Sequence, residues 1–229
     1  AILARTPYSA DMQSRELLSL ISLESWVGLP ASTILHKDPL IMSYPQFAPA
    51  AMCEWLIRKS ASRLRPAQVY DAVAQQVTYH QTRTNTLAIY NLVETDLIQL
   101  VMQARMSVCT GQPFRHFEAS TVLHYEVGQA IHNHFDFVDP DAPDYAMQIQ
   151  TRGQRVITFL LYLNDNYEGG ETAFPLLGMA HKGQAGEGMY FVNALPDGGP
   201  DTRTLHAGVS PTRGEKWVVS QFIRNRQTF

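Results

Sequence analysis

Cysteine is nearly missing from this chain: Cys53 and Cys109 are the only two in 229 residues. A disulfide framework is therefore excluded as its main support. Both lie in apolar, helix-patterned stretches, where buried free thiols are expected. An excess of one charge is missing too. Eighteen Lys and Arg face 21 Asp and Glu, for a formal net charge of −3. That balance gives no electrostatic reason to expect nucleic acid or an anionic membrane as a partner. No apolar run approaches the ~18 residues that suggest a membrane span. The opening Ala1-Ile2-Leu3-Ala4-Arg5 lacks the basic-then-apolar order of a secretion signal, so a cytoplasmic location is the expectation. What the chain does have is apolar content: 45% hydrophobic residues are enough to bury a sizeable core.

The hydrophobic period changes along the chain. Leu17, Leu18, Ile21 and Leu23 form a helical stripe that ends near Gly28 and Pro30. A second helix is expected over 48–64, with Cys53, Leu56 and Ile57 inward. A third is expected over 92–108, where Asn91 and Glu94 have the spacing of a capping box and Gly111 and Pro113 close the element. After that, β-branched and aromatic runs alternate with Gly, Pro and Asp clusters. Strands are expected over 119–125, 155–163, 188–193, 203–206 and 217–223, with no helical pattern between them. Residues 1–35 read as a helical appendage and 36–229 as the main domain, with helices within 45–115 and a β core over 116–226. The fold class is α+β with a mainly β core: a double-stranded β-helix, or jelly roll, supported by N-terminal helices.

Among eight histidines, His134 stands out because Asp136 follows two residues later. A strand places residues i and i+2 on one side, so this pair can converge on one point. His206, in Leu205-His206-Ala207-Gly208, falls at the end of an expected strand and can reach the same point. Two imidazoles and a carboxylate on one face of a metal make the triad of non-haem Fe(II) oxygenases, with open positions for a cosubstrate and dioxygen. A bidentate 2-oxo acid would fill two of those positions. If that acid is 2-oxoglutarate, its distal carboxylate lies deep in an apolar barrel and needs a cation. Lys216, between Gly214-Glu215 and Trp217-Val218-Val219, is placed to supply it.

These residues sit in an ordered series. Arg83-Thr84-Asn85 comes first, then Glu118 to Tyr125, Gly128-Gln129 and His134-Phe135-Asp136-Phe137. Gly153 to Thr158 and Leu161-Tyr162-Leu163-Asn164 follow. Next come Glu168-Gly169-Gly170-Glu171-Thr172 with Phe174-Pro175, then Gly186 to Phe191, His206-Ala207-Gly208 and Gly214-Glu215-Lys216-Trp217. From about Leu40 to Arg226 the series resembles the 2-oxoglutarate- and Fe(II)-dependent dioxygenases, and more narrowly the prolyl 4-hydroxylase family. The resemblance implies that His134, Asp136 and His206 hold iron and that Lys216 pairs with 2-oxoglutarate. It implies that Tyr125 hydrogen-bonds the same cosubstrate, that Thr158 lines its pocket and that Arg155 faces the substrate. It also implies Fe(II), 2-oxoglutarate and O2 as the working set, with ascorbate as a reductant. The reaction would be hydroxylation of an unactivated C–H, with succinate and CO2 as coproducts.

Two positions depart from the family pattern. Peptide-acting members often have an aromatic residue three before the first iron histidine, where Ile131 stands here. Six after the lysine, Phe222 takes the place of the usual tryptophan, and Arg224 follows where members vary. The substrate thus stays open between a proline-containing peptide and a free amino or cyclic imino acid such as proline or pipecolate. A free acid would need a cation for its carboxylate, which Arg155 or Arg152 could supply. The 139–144 segment reads as a flexible rim. Retention of Asp136 disfavours halogenation, because related halogenases carry a small residue there. A non-catalytic metal-binding jelly roll acting as a sensor is the remote alternative, together with a cupin-like enzyme that does not use 2-oxoglutarate. Lys216 and Tyr125 have no purpose in either. Oligomeric state is not legible.

Overall fold

The computed structural model describes residues 31–71, 76–78 and 81–228. The stripe at Leu17 to Leu23, and with it the expected helical appendage, lies outside them. Eight strands form the large antiparallel sheet. In spatial order they are β1 (Thr33–Lys37), β2 (Leu40–Tyr44), β13 (Gly188–Val192), β9 (Arg155–Tyr162), β16 (Lys216–Arg224), β7 (Ser120–Tyr125), β6 (Thr86–Tyr90) and β3 (Arg65–Pro66). A smaller sheet faces it: β12 (Met179–His181), β11 (Thr172–Phe174), β14 (His206–Gly208) and β8 (Ile131–His134). Two further pairs, β10 (Glu168–Gly169) with β15 (Pro211–Arg213) and β4 (Val69–Asp71) with β5 (Gln76–Thr78), complete the strands. Two facing antiparallel sheets bear out the jelly-roll expectation.

Strand alternation divides the core in two. On β9, Ile157, Phe159 and Leu161 point outward, and on β16 so do Trp217, Val219 and Ile223. They meet α1 (Ala50–Ala61) through Met52, Cys53 and Leu56, and α2 (Leu97–Thr110) through Met102, Met106 and Cys109. Leu160, Tyr162, Met189, Phe191 and Val218 point the other way and pack with Phe174 of the small sheet. Leu56 and Met106 are fully buried, so truncating either to Ala would cost about 2–5 kcal/mol. Both cysteines are free and buried, as expected.

Several details differ from expectation. The 45–115 segment holds the expected helices, α1 and α2, but they enclose β3 to β6, and the alternating Thr86–Tyr90 run pairs with β7 to widen the sheet. The boundary near 35 falls inside β1, which pairs with β2. The Asn91–Glu94 capping box is real but caps only a 3-10 turn; α2 begins at Leu97 under a second box, Asp96 with Gln99. Residues 202–204 form a 3-10 turn because the Asp201 side chain accepts from the backbone N–H of Arg203, so the strand starts at His206. The connection between Asp136 and Arg155, past the rim expected at 139–144, holds a helix, α3 (Pro143–Arg152), with proline in its first turn, where a missing N–H costs nothing. No helix of the described residues is long and apolar enough to cross a membrane.

Candidate active site

The two sheets enclose a cavity of about 230 Å³. At one end β8 and β14 pair so that His134 and His206 stand opposite each other, with ring centroids 4.2 Å apart. Asp136 lies just past β8, in the bend that ends it. A turn, and not the strand pleat expected from the His-x-Asp spacing, brings its carboxylate back between the rings. Oδ1 lies 3.4 Å from His134 Nε2 and Oδ2 lies 3.3 Å from His206 Nε2. One ligand atom from each residue lies within 4.8 Å of the others. Each imidazole gives its Nδ1–H to a backbone carbonyl, His134 to His132 at 2.8 Å and His206 to Thr204 at 2.9 Å. That bond fixes the tautomer in which Nε2 of a neutral ring has its lone pair aimed inward, the form a metal requires. Two neutral imidazoles and one carboxylate, with the rest of the cavity open beside them, fit a single divalent iron.

The three donors are electrostatically coupled. Burial pushes the Asp136 carboxyl up, but the adjacent His206 and His134 outweigh it and hold that carboxyl well below the usual range. Burial lowers His134, and the hydrogen bond and charge of Asp136 more than restore it, so its net shift is upward. The Thr158 hydroxyl donates to Asp136 Oδ2 at 2.8 Å and accepts from Asn193 Nδ2 at 2.9 Å. Thr158 thus sits behind the carboxylate and does not line the cavity, contrary to expectation.

The threonine that lines the cavity is Thr172, from the Glu-Gly-Gly-Glu-Thr run, its hydroxyl 2.9 Å from that of Tyr162. Nearby, Lys216 stands across from Tyr125 in the β16–β7 pair and is 2% exposed. Its ammonium lies 5.2 Å from the Tyr125 ring centroid and 5.7 Å from that of Tyr162. Burial pushes Lys216 down to about 7, opposed only by the more distant charge of Glu171. Burial also raises the Tyr125 hydroxyl, which therefore stays a neutral donor. No carboxylate of the described residues forms an ion pair with Lys216.

Ile131, Phe222 and Arg155 also line the cavity. Arg155 is already engaged. Its Nε and Nη2 donate to Glu118 Oε1 and Oε2 at 2.7 and 2.8 Å, and its guanidinium lies 3.9 Å over the Phe222 ring. Two expected substrate residues are elsewhere. Arg152 is exposed at the end of α3 and borders a separate cavity with Tyr90 and Phe117. Arg224 is fully buried and bonds Glu118 through Nε at 2.6 Å. Sequence reasoning missed Thr172, Arg83 and Ser220 as cavity residues. Alternation from Lys216 through Val218 would have reached Ser220.

A family model described as the 2OG-Fe(II) oxygenase superfamily matches residues 120–224. Probable prolyl 4-hydroxylase 9 of Arabidopsis thaliana is 29% identical over 221 residues, covering 89% of this chain and 75% of the relative. Prolyl 4-hydroxylase 13 of the same plant is 28% identical over 209 residues, 84% of this chain and 73% of the relative. Among solved structures, the viral collagen prolyl hydroxylase of Paramecium Bursaria Chlorella virus-1 superposes with a TM-score of 0.62 at 23% identity. That match covers 80% of this chain and 94% of the viral one. A Pseudomonas putida prolyl-4-hydroxylase gives 0.55 at 19% identity, over 81% and 92% of the two chains. The structures agree in fold; the family match spans all three clustered donors and Lys216. The chain belongs to the 2OG-Fe(II) oxygenase superfamily, as a prolyl 4-hydroxylase-like dioxygenase.

Proposed function

We propose that this oxygenase hydroxylates a proline residue within a peptide, with His134, Asp136 and His206 as iron ligands and Lys216 as the partner of 2-oxoglutarate. The observation that carries the reading is a three-donor cluster sharing one cavity with a buried lysine that has no ion pair among the described residues. With iron bound, 2-oxoglutarate and dioxygen supply the oxidising power for C–H hydroxylation and yield succinate and CO2.

The protein's part is to bind, orient and exclude. Lys216, in its charged form, meets the distal carboxylate, and that anion in turn restores the proton that burial disfavours. Tyr125 and Thr172 offer hydroxyls beside it. Thr158 and Asn193 keep the Asp136 carboxylate turned toward the two imidazoles. Leu123, Leu160 and Val218 line the cavity with apolar surface that would limit water beside a bound cosubstrate. No protein nucleophile or general base is needed.

Peptide is favoured over free acid because neither expected arginine presents its Nε–Nη2 fork to the cavity. Arg155 is bound to Glu118, and Arg152 does not reach the cavity. A peptidyl proline presents neutral carbonyls and does not need such a partner. One observation supports the other reading. Arg83 borders the cavity and donates to Asn85 Oδ1 at 3.4 Å, so it could receive a free carboxylate. A screen of proline-rich peptides against free proline and pipecolate decides, reading succinate and a mass gain of one oxygen together. Oxygen gain on peptide alone supports the proposal; gain on the free acids alone reverses it.

A further inference from the structure

Arg224 is among the largest fully buried side chains of the protein, which is unusual for a residue so costly to desolvate. It stands directly across from Arg155 in the β9–β16 pair, at a register shift after Ile223. Like charges in that relationship repel. Glu118 resolves the conflict by lying between them. Its Oε1 accepts from Nε of both arginines, at 2.7 Å from Arg155 and 2.6 Å from Arg224, while Oε2 takes Nη2 of Arg155 at 2.8 Å. Gln221 Nε2 holds the Glu118 carbonyl, and the Glu118 N–H donates to the Phe222 carbonyl at 3.0 Å, so the residue is fixed at its backbone too. Arg224 Nη1 is tied to the Gly153 carbonyl, and Nη2 meets no acceptor among the described residues.

A buried cation with an unmatched N–H is a poor device for stability alone, since apolar replacements of such groups are often neutral or stabilising. Its geometry matters more at the cavity. Arg155 lies over Phe222, its guanidinium carbon 3.9 Å from the ring centroid and its Nη1 3.4 Å from the Asp136 carbonyl. Were Glu118 free to serve Arg155 alone, it would neutralise it and could rotate with it. Shared with Arg224, the carboxylate is pinned from behind and leaves the pair a net positive charge facing the cavity.

We infer that Arg224 is a positioning residue: acting through Glu118, it fixes the orientation of Arg155 and keeps its outer edge electropositive toward a substrate carbonyl oxygen. The substrate part rests on the peptide reading above; the positioning part does not.

The test uses the iron-loaded protein with R224M and R224K. Nitrogen-15 NMR follows hydrogen exchange at the Arg155 Nε–H, which needs no substrate. Kinetics use a synthetic proline-rich peptide and 2-oxoglutarate. In R224M the Arg155 Nε–H should exchange faster than in the wild type. The peptide KM should rise about tenfold, with that for 2-oxoglutarate within about twofold. R224K, which restores charge but not the fork, should fall between the two. A purely structural role would lower Tm and leave Arg155 exchange and the ratio of the two KM values unchanged, and that result overturns the inference. Where R224M does not fold, unaltered Arg155 exchange in R224K overturns it equally. If the wild type adds no oxygen to the peptide, the peptide reading fails, while the exchange measurement still decides the role of Arg224.

Discussion

His134 and His206 are cross-strand partners. The β8–β14 pairing sets them opposite each other with rings 4.2 Å apart, and Asp136 returns from the following bend to touch both. Two ligands far apart in sequence are thus brought together by one register, and the third by a turn. Because both Nδ1 positions are committed to backbone carbonyls, metal binding must use the Nε2 atoms, which currently face Asp136.

Metal affinity should fall with pH. The Asp136 interactions raise His134 above its ordinary 6.5 despite burial, and that proton must leave before the ring can bind metal. A proton bound more tightly competes from a higher pH, so affinity should already be declining as pH drops through neutrality, by up to about tenfold per unit for one displaced proton. Titration of Fe(II), or of Co(II) as a stable surrogate, at several pH values checks this. A flat profile from pH 8 to 6, on the order of one to two units around that value, would contradict it.

For 2-oxoglutarate the sign is opposite. Burial lowers Lys216 to about 7, and only its charged form pairs with the distal carboxylate. Below that pH the lysine is already protonated and the KM for 2-oxoglutarate should be level. Above it, binding must take up a proton, and the KM should climb by up to about tenfold per unit. Lys216→Met should raise the KM by about a hundredfold or more and remove the slope. Initial rates across pH for both proteins measure it.

The two threonines separate the metal from the cosubstrate. Thr158→Val removes the bond to Asp136 and should weaken metal binding about tenfold to a hundredfold, with a smaller effect on the 2-oxoglutarate KM. Thr172→Val should do the reverse. Equal profiles for the two variants would contradict the assignment.

Gly208 approaches Tyr125 closely. A methyl group there would lie 3.0 Å from the Tyr125 hydroxyl oxygen, tight enough that the hydroxyl must give by a few tenths of an ångström. Gly208→Ala should therefore displace that hydroxyl and raise the 2-oxoglutarate KM about threefold to tenfold, leaving metal affinity intact. Parallel metal titration and steady-state kinetics test it.

The sequence made some of this site readable and hid the rest. Donor types and order exposed the cluster, because few chemistries need two imidazoles, a carboxylate and a downstream lysine in an apolar strand. Thr158 and Thr172 could not be sorted that way. Both lie in strands, and only the sheet order decides that one backs Asp136 while the other faces the cavity. Arg155 was read as a free cation because its partner Glu118 is remote in sequence and meets it only through the β16–β7 neighbourhood. Arg152 is drawn toward the site by its place beside Arg155 in the sequence; α3 carries it away. The Thr86–Tyr90 strand was hidden between two sound helices, where its alternation is short.

Succinate release from 2-oxoglutarate, with and without Fe(II), in the wild type and in His134→Ala and Asp136→Ala, tests the central claim most directly. The account predicts Fe(II)-dependent succinate from the wild type. Both variants should keep their fold by circular dichroism and lose at least about a hundredfold of the rate. Undiminished, iron-dependent succinate release from either folded variant would contradict it.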